Sequence, residues 1–374
     1  MPAINLWATD GYISTPDGKS IYIWGFTDQE GGSAQLPGPA IIVKQKFPPP
    51  LKTVVTVNLT NNLPEPVSLL FPGQEDVTAN GRPVQPQYLN GSLVSFTNYA
   101  LPGETITYTF AAASPGTFLY ESGTYPHKQV PMGLYGAIIV RPWEYMIEHK
   151  TAYGTDTGTE FDREYLLVLG EIDPDLHHAV ETGKAYDTRA YKPRYWTMNG
   201  RCATDTMLPD NAAQLPNQPY GSMIMMEPDE KILIRYANAG VANHPLHPHG
   251  NHTRLVGLDG KLLQNRIGLR VTDLSYKRFT VLAGAGQTCD QIYTWSGLGF
   301  DPVTNPIPAR LPNLRNMVIA HGGMTMWSGS PYLGEKGELP PGVVSYNRAG
   351  EYHFMLHSHA EPEITNWGSY PGGL

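Results

Sequence analysis

In the first half of the chain, apolar and polar residues alternate in short runs broken at Pro, Gly and Asn. The runs fall at residues 20–26, 40–43, 53–59, 67–71, 106–111, 117–120 and 136–140. A period of two puts successive side chains on opposite faces of a strand, so each run predicts a strand with one face buried. Short strands joined by turns predict a β-sandwich. A second series opens with the apolar run Tyr165-Leu-Leu-Val-Leu-Gly170 and continues at 231–237, 244–258, 279–282, 291–295 and 351–359, in an order that parallels the first. Between the two series, residues 151–162 are rich in Thr, Gly and Asp and read as a connection. The pattern predicts an all-β chain of two related sandwiches: residues 1–145, a linker at 146–160, and residues 161–374. Two stretches of the second half, 172–193 and 302–332, exceed ordinary hairpin loops and read as surface excursions or contacts between copies.

Length and composition fit this division. A chain of 374 residues exceeds the roughly 250–300 residues at which single cores stop growing. High Gly (39) and Pro (34) with only 16% charged residues favour strands and turns over long surface helices. The formal charge of -8 is spread without a basic stripe, which excludes nucleic acid as the expected partner. No stretch approaches the roughly 18 apolar residues that a membrane span needs. Residues 1–26 have neither the basic start nor the apolar core of a signal peptide, so a secreted or periplasmic chain would stand here in mature form. Cys202 and Cys289 form one disulfide or remain two buried thiols. Asn58, Asn90 and Asn251 head glycosylation sequons.

Histidine placement changes the picture. Seven of the 12 histidines fall within 244–252 and 353–359. Each window contains an H-x-H pair, His247-Pro-His249 and His357-Ser-His359. Residues two apart on a strand share a face, so each pair presents two imidazoles together, and two neighbouring strands would present four. Imidazole suits copper, zinc, iron and nickel, so His247, His249, His357 and His359 predict a transition-metal site without naming the metal. His244, His252 and His353 are further candidates, and Glu121 and Glu363 could add a carboxylate. No GxSxG elbow, P-loop, HExxH or CxxC offers a rival chemistry.

Asn243-His-Pro-Leu-His-Pro-His-Gly250 resembles the H-P-x-H-x-H-G motif of multicopper oxidases. Gly350-Glu-Tyr-His-Phe-Met-Leu-His-Ser-His359 resembles the family's second C-terminal motif, built on H-C-H. The segments 115–123 and 132–140 are similar to the end of a first cupredoxin domain. The resemblance implies two Greek-key cupredoxin-like β-sandwich domains, copper as the cofactor, and a homotrimer with metal sites between the first domain of one copy and the second of the next. It places His244 at a type 1 copper ligand, His247 at a type 2 ligand, and His249, His357 and His359 at ligands of the trinuclear cluster.

The departures from the family's pattern shape the functional expectation. Ser358 stands at the type 1 cysteine position and Glu363 at its second histidine. Leu70-Phe-Pro-Gly73 stands where the family has H-W-H-G, and Glu121-Ser-Gly123 where it has H-S-H. A hydroxyl cannot supply the thiolate of a blue copper site. The expectation is therefore a multicopper-oxidase-like protein that binds a metal, copper first, through its C-terminal histidines, with neither a type 1 site nor a complete trinuclear cluster. The alternatives are an oxidoreductase with a mono- or dinuclear site, and a structural protein of an extracellular layer or filament.

Overall fold

The computed structural model describes residues 3–47, 51–146, 149–267, 270–297, 301, 303–304, 317–319, 325–327 and 354–374. In the first half lie β1 (Ile4–Ser14), β2 (Ser20–Thr27), β3 (Ile41–Lys44), β4 (Thr53–Asn61), β5 (Glu75–Ala79), β6 (Arg82–Pro83), β7 (Gln87–Leu89), β8 (Ser92–Ser95), β9 (Thr105–Ala112), β10 (Gly116–Glu121) and β11 (Tyr135–Arg141). Six of them form a sheet in the order β2-β1-β4-β9-β5-β6, packed on a three-stranded sheet β10-β11-β3. The alternation along β4 explains the packing: Val55, Val57 and Leu59 turn inward and meet Ile41, Phe118, Tyr120, Ile138 and Val140 of the facing sheet. The pair β7-β8 stands apart as a hairpin with exposed Tyr88, Leu89 and Leu93, and Asn90 is exposed at its tip. The amides of Asn58 and Asn251 are instead hydrogen-bonded, to Asn5 and to the Thr294 carbonyl.

The second half contains β12 (Arg163–Ile172), β13 (Tyr195–Met198), β14 (Lys231–Asn238), β15 (His244–Pro248), β16 (Thr253–Leu258), β17 (Lys261–Leu262), β18 (Gln264–Ile267), β19 (Arg270–Asp273), β20 (Tyr276–Arg278), β21 (Val281–Ala283), β22 (Thr288–Thr294), β23 (Met317–Ile319), β24 (Thr325–Trp327) and β25 (Leu356–Ser358). Its large sheet runs β13-β12-β14-β22-β16-β17, with β20 added on β16, and a small sheet runs β21-β15-β25. Strand for strand, the large sheet repeats the first. In both, the first pair is antiparallel, the second parallel and the remainder antiparallel. The two large sheets thus share one topology, while the small sheets differ: β11 pairs β3 in parallel, and β15 pairs both its neighbours antiparallel.

The sandwiches share a core. Ile13, Ile23, Leu36, Leu119 and Ala137 of the first pack with Val168, Ile172, Tyr195 and Ala237 of the second. That is why β14 is apolar almost throughout instead of alternating: it is buried on both faces. Its one buried charge, Arg235, is 1% exposed and lies at the seam. Its guanidinium donates to Glu164 (2.6 Å), to the Thr117 hydroxyl of the other sandwich (3.0 Å) and to Asp290 (3.3 Å). Thr117 in turn donates to Asp290 (2.5 Å), and Arg141 pairs with the second oxygen of Glu164 (2.6 Å).

Several expected elements differ from the structure. Residues 67–71 form isolated bridges, Val67 to Ala100 and Leu70 to Glu121, and no strand. The run 244–258 is two strands in different sheets, divided at Gly250, whose φ of 92° favours glycine. The stretch expected as a connection is packed against the second sandwich: Ala152 and Phe161 are buried, and the Tyr153 hydroxyl donates to Asp290 at 2.6 Å. Most of 302–332 lies outside the described residues. Cys202 and Cys289 are free thiols, and burial pushes both up, Cys289 to about 12.

The insertion 172–193 is docked, not an excursion. After the short helix α1 (Pro126–Gln129) of the first half, α2 (Pro174–Glu181) is the next helix. Asp173 caps it by accepting the Asp175 N–H, and Pro174 occupies the first turn, where its missing N–H costs nothing. Leu176 enters the first sandwich's core. His177 beside it is buried between two backbone carbonyls, Tyr22 O (2.6 Å) and Pro131 O (3.1 Å). Burial outweighs these two acceptors and holds His177 below the ordinary value of 6.5. The unfolded chain therefore takes up this proton first, so stability falls as pH drops from 6.5 toward the lowered value. Thermal unfolding across the acid range should show that loss in the wild type and a flatter profile in His177→Gln; equal slopes would contradict it.

Candidate metal centre

The small sheet sets the site. Along β15 burial alternates, with His244, Leu246 and Pro248 turned inward and His247 outward. In the pairing with β25, His247 stands directly opposite His357 and Leu246 opposite Ser358. The ladder continues through His249 N–H to Met355 O (2.8 Å) and His359 N–H to Pro245 O (2.7 Å). His247, His249, His357 and His359 consequently share the outer face. Their ring centroids lie 5.0 to 5.8 Å apart in five of the pairings, and a 3.1 Å hydrogen bond joins His249 Nε2 and His357 Nε2.

Neighbouring groups fix these rings. His357 Nδ1 donates to the Ser358 carbonyl (2.8 Å), which can only accept, so the proton sits on Nδ1 and Nε2 carries a lone pair. His247 Nδ1 meets the Thr280 hydroxyl at 2.9 Å, which leaves its Nε2 for the outer face. Burial, and then the neighbouring His357 and His359, hold His247 below the usual histidine value, so the ring stays neutral into mildly acidic solution. Neutral imidazoles are the form that binds metal.

The residues present fit part of a metal site. With metal–nitrogen bonds of about 2.0–2.1 Å, two imidazole nitrogens 3.1 Å apart suit adjacent ligands of one ion. Among the described residues no three His, Cys, Asp or Glu side chains converge on one point as ligands to a single ion would. The outer face thus offers two converging ligands, with His247 and the exposed His359 at its margin.

The remaining candidates lie elsewhere. His252 stacks on Phe279 (3.7 Å), whose ring is 6.5 Å from His247. His353 lies outside the described residues. His244 is fully buried on the opposite face, where its Nδ1 donates to Glu363 Oε2 (2.9 Å) and its Nε2 lies 3.6 Å from Glu171. The Ser358 hydroxyl donates to the same Glu363 oxygen. A metal centre has lone pairs directed at a cation; here an N–H and an O–H are directed at one carboxylate oxygen, so these three groups satisfy one another. Glu171 also accepts the Val241 (3.0 Å) and Ala242 (2.5 Å) N–H groups, yet burial still raises its carboxyl above the ordinary value.

In the first half no histidine stands at the corresponding positions, and hydrocarbon fills one of them. Leu70 packs so closely on Gly123 that a side chain at 123 would meet it at 2.8 Å. Glu121, between them in the fold, has its carboxyl raised by burial. These residues do not fit a metal.

Sequence reasoning did not single out Thr280 or Glu171. The signal for Glu171 is visible in hindsight as one carboxylate ending the apolar strand β12. Thr280 has none, because a threonine beside a strand is unremarkable until its partner is known.

Residues 30–144 match the multicopper oxidase family model. No curated protein matches the chain. Similar solved structures include the multicopper oxidase mgLAC (18% identity, TM-score 0.61) and the blue copper oxidase of Nitrosomonas europaea (20%, 0.61), each alignment covering 99% of this chain and 83% of the other. The copper nitrite reductase of Nitrosomonas europaea is similar at 20% identity and TM-score 0.52, over 86% of this chain and 88% of that one. At these identities the likeness is one of fold. Among the described residues no helix is long and apolar enough to cross a membrane. The family-model match is thus confined to the first sandwich, and over nearly its whole length the chain has the fold of multicopper oxidases.

Proposed function

We propose that this is an extracytoplasmic, multicopper-oxidase-like protein that binds copper on the outer face of β15 and β25, with neither a type 1 site nor a complete trinuclear cluster. The observation that carries the proposal is the approach of His249 Nε2 to His357 Nε2, flanked by His247 and His359. Bound there, copper would supply a one-electron redox centre with imidazole ligands. The chain's own part is to orient the rings, His357 through the Ser358 carbonyl and His247 through Thr280.

The assembly proposed is a homotrimer in which the histidine face of one copy meets the first sandwich of the next. Exposed Phe279 and Leu282 beside the histidines support a covered face. The experiment is elemental analysis of protein loaded with copper and then dialysed. Copper retained in stoichiometric amount is the expected result, and its absence would overturn the proposal.

A further inference from the structure

β15 and β25 are joined by a short ladder. Three residue pairs stand in register, Leu246 with Ser358, His247 with His357 and Pro248 with Leu356, and two flanking backbone bonds extend it, His249 N–H to Met355 O and His359 N–H to Pro245 O. Pro245 and Pro248 remove two backbone donors from β15. A slip of one residue would turn the histidines inward and the core residues outward, so burial of Leu246 favours one register, which a directional bond across the strands reinforces. On the buried face one atom joins three elements. Glu363 Oε2, in the 3-10 turn Glu361–Ile364 after β25, receives the N–H of His244 from β15 and the O–H of Ser358 from β25. His244 and Ser358 point away from the histidine face, and each is a near neighbour in sequence of its ligands. Glu171 holds the other side of His244 and the backbone N–H groups of Val241 and Ala242 that lead into β15.

We propose that Glu363 is the positioning residue of the histidine face: a cross-link between the strands that reinforces the register of β15 on β25 and so brings His249 to His357. The inference rests on reading the four histidines as the metal site. Glu363 itself touches no ligand on that face, and it acts through His244 and Ser358. A hydrogen bond to a carboxylate is among the stronger ones and directional, which suits a register device better than apolar contact does.

The test uses the full chain, with Glu363→Gln and, in case that variant fails to fold, Ser358→Ala, which removes one of the two bonds. Histidine ring resonances are recorded on metal-free protein, and Cu2+ alone is then titrated. The wild type should show one set of signals for His247, His249 and His357. Glu363→Gln should lose the His244 Nδ1 proton signal, double or broaden the outer-face rings, and weaken Cu2+ binding by roughly 10–100-fold, as loss of an outer partner does. Ser358→Ala should move the same rings in the same direction by less. Ile232→Val, a buried change in β14 away from the site, lowers stability only and should leave the rings unmoved. Rings and affinity unchanged in Glu363→Gln, or in Ser358→Ala if that alone folds, would overturn the proposal. Should the wild type bind no Cu2+, the metal reading fails, while the rings of the metal-free protein still decide the role of Glu363.

Discussion

Arg235→Ala is expected to destabilise the protein by about 3–5 kcal/mol, the cost of removing one member of a buried ion network. The guanidinium is 1% exposed and bridges Glu164, Asp290 and Thr117. Its loss leaves two buried carboxylates short of their cation and cuts a direct link between the sandwiches, because Thr117 belongs to the first and Asp290 to the second. Alanine adds a cavity to this cost. Burial alone would push Glu164 up; Arg235 and then Arg141 more than offset it and hold the carboxyl below 4.5. A carboxylate depressed in the folded state contributes stability that is present above its unfolded value and lost as pH falls through the lowered one. The variant should therefore also lose part of the wild type's stability gain above pH 4.5. Urea unfolding at neutral pH is the measurement, and a change below about 1 kcal/mol would show that the seam does not depend on this charge.

The second large effect concerns copper. His249→Ala and His357→Ala should each weaken Cu2+ binding by more than the roughly 10–100-fold that an outer partner costs, since each removes one of the two converging nitrogens. His244→Ala should weaken Cu2+ binding by less than either, because His244 faces Glu363 on the far side of the strand and acts only by holding β15 on β25. Calorimetric titration separates the two cases. Abolished binding in His244→Ala, with His249→Ala and His357→Ala still binding copper, would mean that the buried position, and not the outer face, is the metal site.

How much of this was legible in the sequence depended on the kind of signal. The alternation of β4 and the apolar run of β12 stand out because burial there follows directly from strand geometry. The H-x-H spacing likewise foretold two imidazoles on one face, and the pairing of β15 with β25 puts both pairs on the same one. β1 was passed over because Asn5, Thr9, Asp10 and Gly11 dilute its apolar residues; it is a strand because β2 and β4 supply partners on either side. α2 was hidden inside what read as a loop, although Asp173-Pro174 is a helix-start pattern, because its short apolar face makes sense only against the first sandwich. The substitutions Ser358 and Glu363 could be read as a lost copper ligand set. That Glu363 bonds both Ser358 and His244 could not, since the four residues between Ser358 and Glu363 give no direction for either side chain.

The central claim is copper bound by imidazole alone on the outer face. Copper content and visible absorption, recorded together on one copper-loaded sample of the wild type, test it most directly. The account predicts retained copper without the intense charge-transfer band of a copper–thiolate centre, because Ser358 offers no thiolate and Cys202 and Cys289 are buried elsewhere with their thiols protonated. An intense thiolate band, or a protein that holds no copper at all, would contradict it.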